Sequence, residues 1–340
     1  MCTACSSMAS SAPATPGTSQ GNGLSGTDLA SVACTSATDC VAVGGSLSSL
    51  MPVEAITSNF GRTWTVSQFP EPRSQLTGVS CSGAQCVAVG RPISPLSNEI
   101  ALAFVSSDGG HSWSKVGVPP GVRSLTSVSC ASMRACVAVG YDDAMFSVDG
   151  GDQWSASNFP QPSLIAVSVS CGSATRCTAV GSNDETGASV ELLSTNGGAS
   201  WSVDTFSTRL KRLAAISCSS ASACVAVGFA AQALPLGHGI SADTTNGGIS
   251  WEMGSVPSGL VGLGGVACPT SSRCVTVGNF SLVAGRAGGT ISHGASWFVG
   301  TFGQQPKALY GVSCPSASRC VAVGYQGSAS TRDDGRTWSP

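Results

Sequence analysis

Ser127-Val128-Ser129-Cys130, five residues, then Cys136-Val137-Ala138-Val139-Gly140: this phrase is written seven times along the chain. The other copies are SVACTSATDCVAVG from Ser31, GVSCSGAQCVAVG from Gly78, SVSCGSATRCTAVG from Ser168, AISCSSASACVAVG from Ala215, GVACPTSSRCVTVG from Gly265 and GVSCPSASRCVAVG from Gly311. Each is followed by one tryptophan (Trp64, Trp113, Trp154, Trp201, Trp251, Trp297, Trp338), and the chain has no other. From first Cys to closing Gly the distance is 10 residues in six copies and 9 in the second, and from each Trp to the next first Cys it is always 17. From Gly to Trp it ranges from 14 to 23, so almost all length variation sits in one segment. The patterning places four strands in each unit: A ends at the first Cys, B is CVAVG, C precedes a glycine turn (Ala101 to Ser107, Val190 to Thr195), and D starts at the Trp. Such a unit, 41 to 50 residues long, cannot bury both faces alone. Radial stacking solves this, and predicts an all-β, seven-bladed β-propeller of four-stranded antiparallel blades.

The composition agrees. In 340 residues only 10% are charged, the net charge is −2, and there are 43 glycines and 16 cysteines. A nucleic-acid partner is not expected, because phosphate binding needs an excess of Lys and Arg. No apolar run approaches the ~20 residues of a membrane-spanning helix. The cysteine count points away from a reducing cytosol and toward an extracellular or cell-envelope setting.

Each C-x5-C joins the end of strand A to the start of strand B, so the two sulfurs face each other across a hairpin. The leading reading is seven disulfides within single blades: Cys34 with Cys40, Cys81 with Cys86, Cys130 with Cys136, Cys171 with Cys177, Cys218 with Cys224, Cys268 with Cys274 and Cys314 with Cys320. Zinc is the alternative, but tetrahedral sites favour C-x2–4-C pairs converging in fours, and only three His are present. No metal or other cofactor is expected.

Between strands C and D stands Ser106-Ser107-Asp108-Gly109-Gly110-His111-Ser112-Trp113, with counterparts at Ser147 to Trp154, Ser194 to Trp201, Thr244 to Trp251 and Thr331 to Trp338. This resembles the Asp-box, or BNR repeat, in which a short polar side chain binds turn amides, glycine takes φ > 0 and Trp packs under the hairpin. Asn59, Asn196 and Asn246 replace Asp, Phe60 replaces the first Gly, and the sixth copy, Ser292-His293-Gly294, is degenerate. Asp-box propellers include sialidases, xyloglucan-degrading enzymes, sortilin-type receptors and photosystem assembly factor-like proteins, so the resemblance implies a fold and several functions. Sialidase features are missing: Arg91-Pro92-Ile93 scrambles the expected Arg-Ile-Pro, and only three tyrosines are available.

Residues 25–340 read as one propeller, and residues 1–24 as a flexible Ser/Ala/Pro/Gly-rich segment. Thr3-Ala4-Cys5-Ser6-Ser7 is similar to the end of a lipoprotein signal, so a lipid anchor at Cys5 stands beside a bridge between Cys2 and Cys5 or free thiols. Strand D of the last unit has few residues; Thr18 to Gly23, a three-stranded last blade, or residues beyond Pro340 are the candidate answers.

In an up-and-down blade the A–B and C–D turns share one face, and the variable B–C segments share the other with the D–A loops. Binding residues collect on such loops. The ligand-binding candidates there are Arg91, Arg123, Tyr141, Asp142, Asp143, Lys211, Arg212, Arg286, Lys307 and Tyr325. No catalytic set stands out: Asp142 with Asp143, or Asp143 with Asp184 or Glu185, are weak carboxylate pairs for glycoside hydrolysis, and His238 has no nucleophile beside it. The expected function is a binding or scaffold propeller for a glycan or an envelope or extracellular protein. The alternatives are a secreted glycoside hydrolase or lyase and an assembly or maturation factor.

Overall fold

The structure, a computed structural model, describes residues 23–93, 100–206, 212–230, 238–254, 256–257, 260–281, 286–293, 296–302 and 308–340. Strands pair in chain order, A to B to C to D, as antiparallel ladders. The first sheet is Thr27–Cys34, Cys40–Ser46, Pro52–Thr57 and Thr65–Gln68. Strand B is buried along its whole length, as at Cys136–Gly140, because neighbouring sheets cover both of its faces; that explains the unbroken apolar CVAVG. Strand D is mostly exposed, as at Ser202–Thr205.

The expectation of seven four-stranded blades needs correction: among the described residues six sheets have four strands. The seventh repeat forms a three-stranded sheet, Leu309–Ser313, Cys320–Gly324 and Gly327–Thr331. Thr337–Trp338 pairs in parallel with Thr301–Phe302, and Ser330 bridges Ser339. This sheet packs on both neighbours. Its Val321 and Val323 share a core with Leu24, Leu29 and Trp64, while its Cys320 and Ala322 share one with Val275 and Val277. Residues 18–22, the candidate closing strand, lie outside the described residues, as does Cys5.

Why the phrase is constant becomes clear in strand A. Its register shifts at the same place in every repeat, for example between Ala166 and Ser168, and this bulge pushes a carbonyl toward the glycine that closes CVAVG. A Cβ on Gly181 would meet the Ile165 oxygen at 1.8 Å, and one on Gly140 the Ser124 oxygen at 1.7 Å. Only glycine fits. The Ser of VSC ties one repeat to the next. Ser80, Ser129, Ser170, Ser217 and Ser313 each accept the amide of the first Cys in the following repeat, as in Cys171 N to Ser129 Oγ at 3.0 Å.

All seven disulfides form within their own hairpins, as the spacing predicts. Cys34 is bonded to Cys40, Cys81 to Cys86, Cys130 to Cys136 and Cys171 to Cys177. Cys218 is likewise bonded to Cys224, Cys268 to Cys274 and Cys314 to Cys320. In four of the six longer loops the two cysteines are also ladder partners: Cys34 with Cys40, Cys130 with Cys136, Cys171 with Cys177 and Cys218 with Cys224. The second loop is one residue shorter, yet Cys81 still faces Cys86 directly. These bonds suit an oxidising compartment and leave none of the fourteen thiols for zinc.

The turn before Trp113 folds as its residues suggest: Gly110 N donates to Ser106 Oγ (2.8 Å) and Ser112 N to Asp108 Oδ1 (2.9 Å). Bonds from Ser112 and Ser106 hold the Asp108 carboxyl down at about 2. Asn works equally well, because the Asn196 amide donates to Ser200 Oγ (2.8 Å) while its oxygen accepts the Ser200 amide. The tryptophans do more than pack under their own hairpins. Trp64, Trp201, Trp251 and Trp297 donate their indole N–H to Ser328, Ser157, Glu191 and Ser241 of the preceding repeat, and Trp113 does so to Glu54. No helix among the described residues is long and apolar enough to cross a membrane.

Candidate functional site

Backbone bonds sort the loops into two faces. Gly109 N reaches Ala84 O (2.9 Å) and Gly150 N reaches Arg134 O (2.9 Å), so each glycine turn sits on the A–B hairpin of its own blade. On the other side Leu47 N bonds Gly26 O (2.9 Å), Ile93 N bonds Arg73 O (2.8 Å) and Asp184 N bonds Ser163 O (2.8 Å), tying B–C segments to D–A loops.

The first strands of all seven repeats line a central channel of about 240 Å³. At its mouth on the B–C/D–A face lies a larger hollow of about 430 Å³, between the first and second blades. Ala30, Thr77 and Tyr310 line both spaces. The hollow has a local cause. The residue after the CVAVG glycine is Arg91, Tyr141, Ser182, Phe229, Asn279 and Tyr325 in six repeats, but Gly45 in the first. A Cβ at Gly45 would touch only Gln75 Cβ, at 3.9 Å, so the missing side chain leaves space rather than relieving a clash.

The walls are mixed. Leu47, Leu50 and Ile93 form an apolar rim, 41%, 51% and 44% exposed. Arg91 lies over the Tyr141 ring, 5.6 Å from its centroid, and its Nη1 donates to the Tyr141 hydroxyl at 3.2 Å. The Gln75 carboxamide, with its oxygen turned to the guanidinium, accepts from Arg91 Nε at 3.1 Å. Across the hollow Asp28 carries a buried Oδ1 without a hydrogen-bond partner, and burial pushes its carboxyl above the usual range. By contrast, the carboxylates of a hollow of about 340 Å³ on the opposite face accept hydroxyls of their own turns: Ser36 Oγ donates to Asp39 Oδ2 (2.6 Å), and Ser106 Oγ to Asp108 Oδ1 (2.7 Å).

Of the residues expected from sequence, the structure brings together Arg91 and Tyr141, and sets Tyr325 beside Asp28 through a backbone bridge. Asp142 and Asp143 do something else. Asp142, at φ 60°, accepts the Leu164 amide (2.8 Å), and Asp143 accepts the Arg123 amide (3.1 Å), so each clamps a different D–A loop. Burial raises the Asp143 carboxyl, and the bond from Arg123 opposes the rise. Glu185 accepts the Ser163 hydroxyl at 2.7 Å. Arg212 stands apart, over the Phe229 ring at 5.8 Å. Arg286 begins a strand, Arg286–His293, while Lys211 and Lys307 lie outside the described residues. No metal-binding group of His, Cys, Asp or Glu occurs among the described residues.

Sequence reading missed Asp28, Gln75, Tyr310 and the apolar rim. Two of these leave a signal once the repeats are aligned on the first Cys. Six residues before it stand Asp28, Gln75, Ser124, Ile165, Arg212, Gly262 and Ala308, of which only Asp28 is acidic. Four before it stand Ala30, Thr77, Thr126, Val167, Ala214, Gly264 and Tyr310, of which only Tyr310 is aromatic.

No family model and no curated relative matches the chain. Solved β-propellers do. A structure described as YCF48 bound to D1 peptide is 16% identical, with a TM-score of 0.63 over 91% of this chain and 92% of that one. YCF48 from Cyanidioschyzon merolae is 17% identical, with a TM-score of 0.64 over 90% and 96%. The GH74 xyloglucanase from Xanthomonas campestris is 10% identical, with a TM-score of 0.56 over 92% of this chain but only 60% of its own. At these identities the likeness establishes the propeller fold.

Proposed function

We propose that this propeller is a non-enzymatic binding module that holds a segment of a protein partner on its B–C/D–A face, with the hollow between the first and second blades as the anchor point. One observation carries this: the hollow joins an exposed apolar rim to a half-buried carboxyl whose Oδ1 is buried and unpartnered, whereas the carboxylates of the opposite hollow accept hydroxyls of their own turns. Apolar walls with a few convergent polar groups are what a ligand site offers. The similarity to a propeller recorded with a bound peptide supports a protein partner over a glycan. The Asp-box likeness and the seven disulfides fit a role in the cell envelope or outside the cell, with Cys5 as the place of a lipid tether. Assembly or maturation of a partner is one use of such a module. A glycoside hydrolase shares the fold, but Asp142, Asp143 and Glu185 are engaged by loop amides and a hydroxyl.

A random peptide display library selected on the full chain tests the reading. Selected peptides are expected to lose most of their binding to a Leu50→Lys/Ile93→Asp variant and to bind an Ile249→Lys variant, altered at an exposed position on the opposite face, as well as the parent. Unchanged binding to the first variant contradicts the assignment.

A further inference from the structure

Asp28 sits at the start of a strand, Thr27–Cys34, where its backbone is held on one side by Gly45 and on the other by the bridge to Tyr325. Its side chain lines the hollow, and Oδ1 is out of reach of water without a partner. A carboxylate with one oxygen in that state is costly to ionise, and a cation brought against the partly exposed remainder of the carboxyl offsets that cost. The hollow's own cation does not serve. Arg91 is turned away, with Nη1 on the Tyr141 hydroxyl, its plane over the Tyr141 ring and Nε toward Gln75. Burial is the cause that raises the Asp28 carboxyl, and no neighbouring positive charge offsets it. The exposed apolar rim of Leu47, Leu50 and Ile93 lines the same hollow as the half-buried Asp28. An occupant therefore needs an aliphatic stem for the rim and a positive head for the floor, which describes the long basic side chains that lay their methylenes on apolar surface.

Resting on the peptide-binding reading above, we propose that the hollow receives one lysine or arginine side chain of the partner segment, its stem against Leu47, Leu50 and Ile93 and its cation on the Asp28 carboxylate. Gly45 makes the room, being the one position of its ring without a side chain. The other six repeats fill the equivalent place, so there is one such site per ring and the partner is read in one register.

Peptides selected by display on the full chain are measured by fluorescence anisotropy in pairs, with each Lys or Arg exchanged singly for norleucine, which keeps the stem and removes the charge. One exchange is expected to weaken binding by about tenfold or more, the size of one charge-assisted hydrogen bond. On Asp28→Asn, which is isosteric, the parent peptide is expected to bind as weakly as its norleucine form, so the two differences merge. Gly45→Leu, whose Cβ would meet no backbone within 4 Å, is expected to fold with an unchanged circular dichroism spectrum and to lose both peptides. Selected peptides without a basic residue, or a norleucine effect that persists on Asp28→Asn, overturn the cation site. In those cases loss of binding on Leu50→Lys/Ile93→Asp still upholds the binding face; peptides indifferent to that variant overturn both.

Discussion

The carboxyls pushed furthest up lie inside the blades rather than at the hollow. Glu54 and Glu191 are 7% and 5% exposed, and burial pushes both carboxyls up to about 7 against an ordinary 4.5. Indole N–H bonds from Trp113 and Trp251 oppose the rise without cancelling it. Below 4.5 the folded and unfolded chains both hold these protons. Between 4.5 and about 7 the unfolded chain gives them up while the folded one keeps them, so stability is lost as pH rises through that window. Asp243, raised to about 6 by burial, acts with the same sign. The thermal midpoint is expected to be higher at pH ~5 than at pH ~8, and a Glu54→Gln/Glu191→Gln variant to narrow that difference. Differential scanning fluorimetry across the range checks it; a parent midpoint that does not fall, or a difference the variant leaves intact, contradicts it. None of this shows in the sequence, where Glu54 and Glu191 are polar residues in apolar strands and their tryptophan partners stand about sixty positions away. Asp142 and Asp143 mislead in the opposite way. Charge in a variable loop suggests chemistry, whereas both side chains serve backbone amides contributed by distant loops.

At the scale of the strand, the repeat itself was legible because fixed spacing and a fixed glycine answer to backbone geometry. The bulge in strand A puts a carbonyl where a side chain would stand, so glycine is required there for packing and not for a positive φ. Gly181→Ala, with its Cβ 1.8 Å from the Ile165 oxygen, is expected to lose about 3 kcal/mol or to fail to fold. Gly117→Ala, where nothing lies within 4 Å, is expected to be close to neutral. Urea unfolding of the two compares them, and similar midpoints would remove the bulge from the explanation. The last sheet was harder to read. Counting repeats leads to seven equal blades, the short strand D of the last unit left a three-stranded blade as one of several answers, and the seventh sheet has three strands with a short parallel pair at its margin.

For the molecule as a whole, the division into a constant and a variable face was readable from spacing alone, and loop-to-loop bonds realise it. The hollow was not, because it depends on what the first blade lacks, at Gly45, and on side chains from the first, second and seventh repeats meeting at the channel mouth. Asp28 and Tyr310 become conspicuous only against their six counterparts in an aligned set of repeats. That the ring works through this mouth is the central claim, and hydrogen–deuterium exchange of the full chain with and without a selected peptide tests it most directly. Protection on binding is expected in peptides covering residues 45–51, 73–77 and 91–93, with little change at the A–B hairpins and glycine turns, such as residues 131–135 and 148–153. Protection confined to those hairpins and turns, with the B–C segments of the first two blades unchanged, would contradict it.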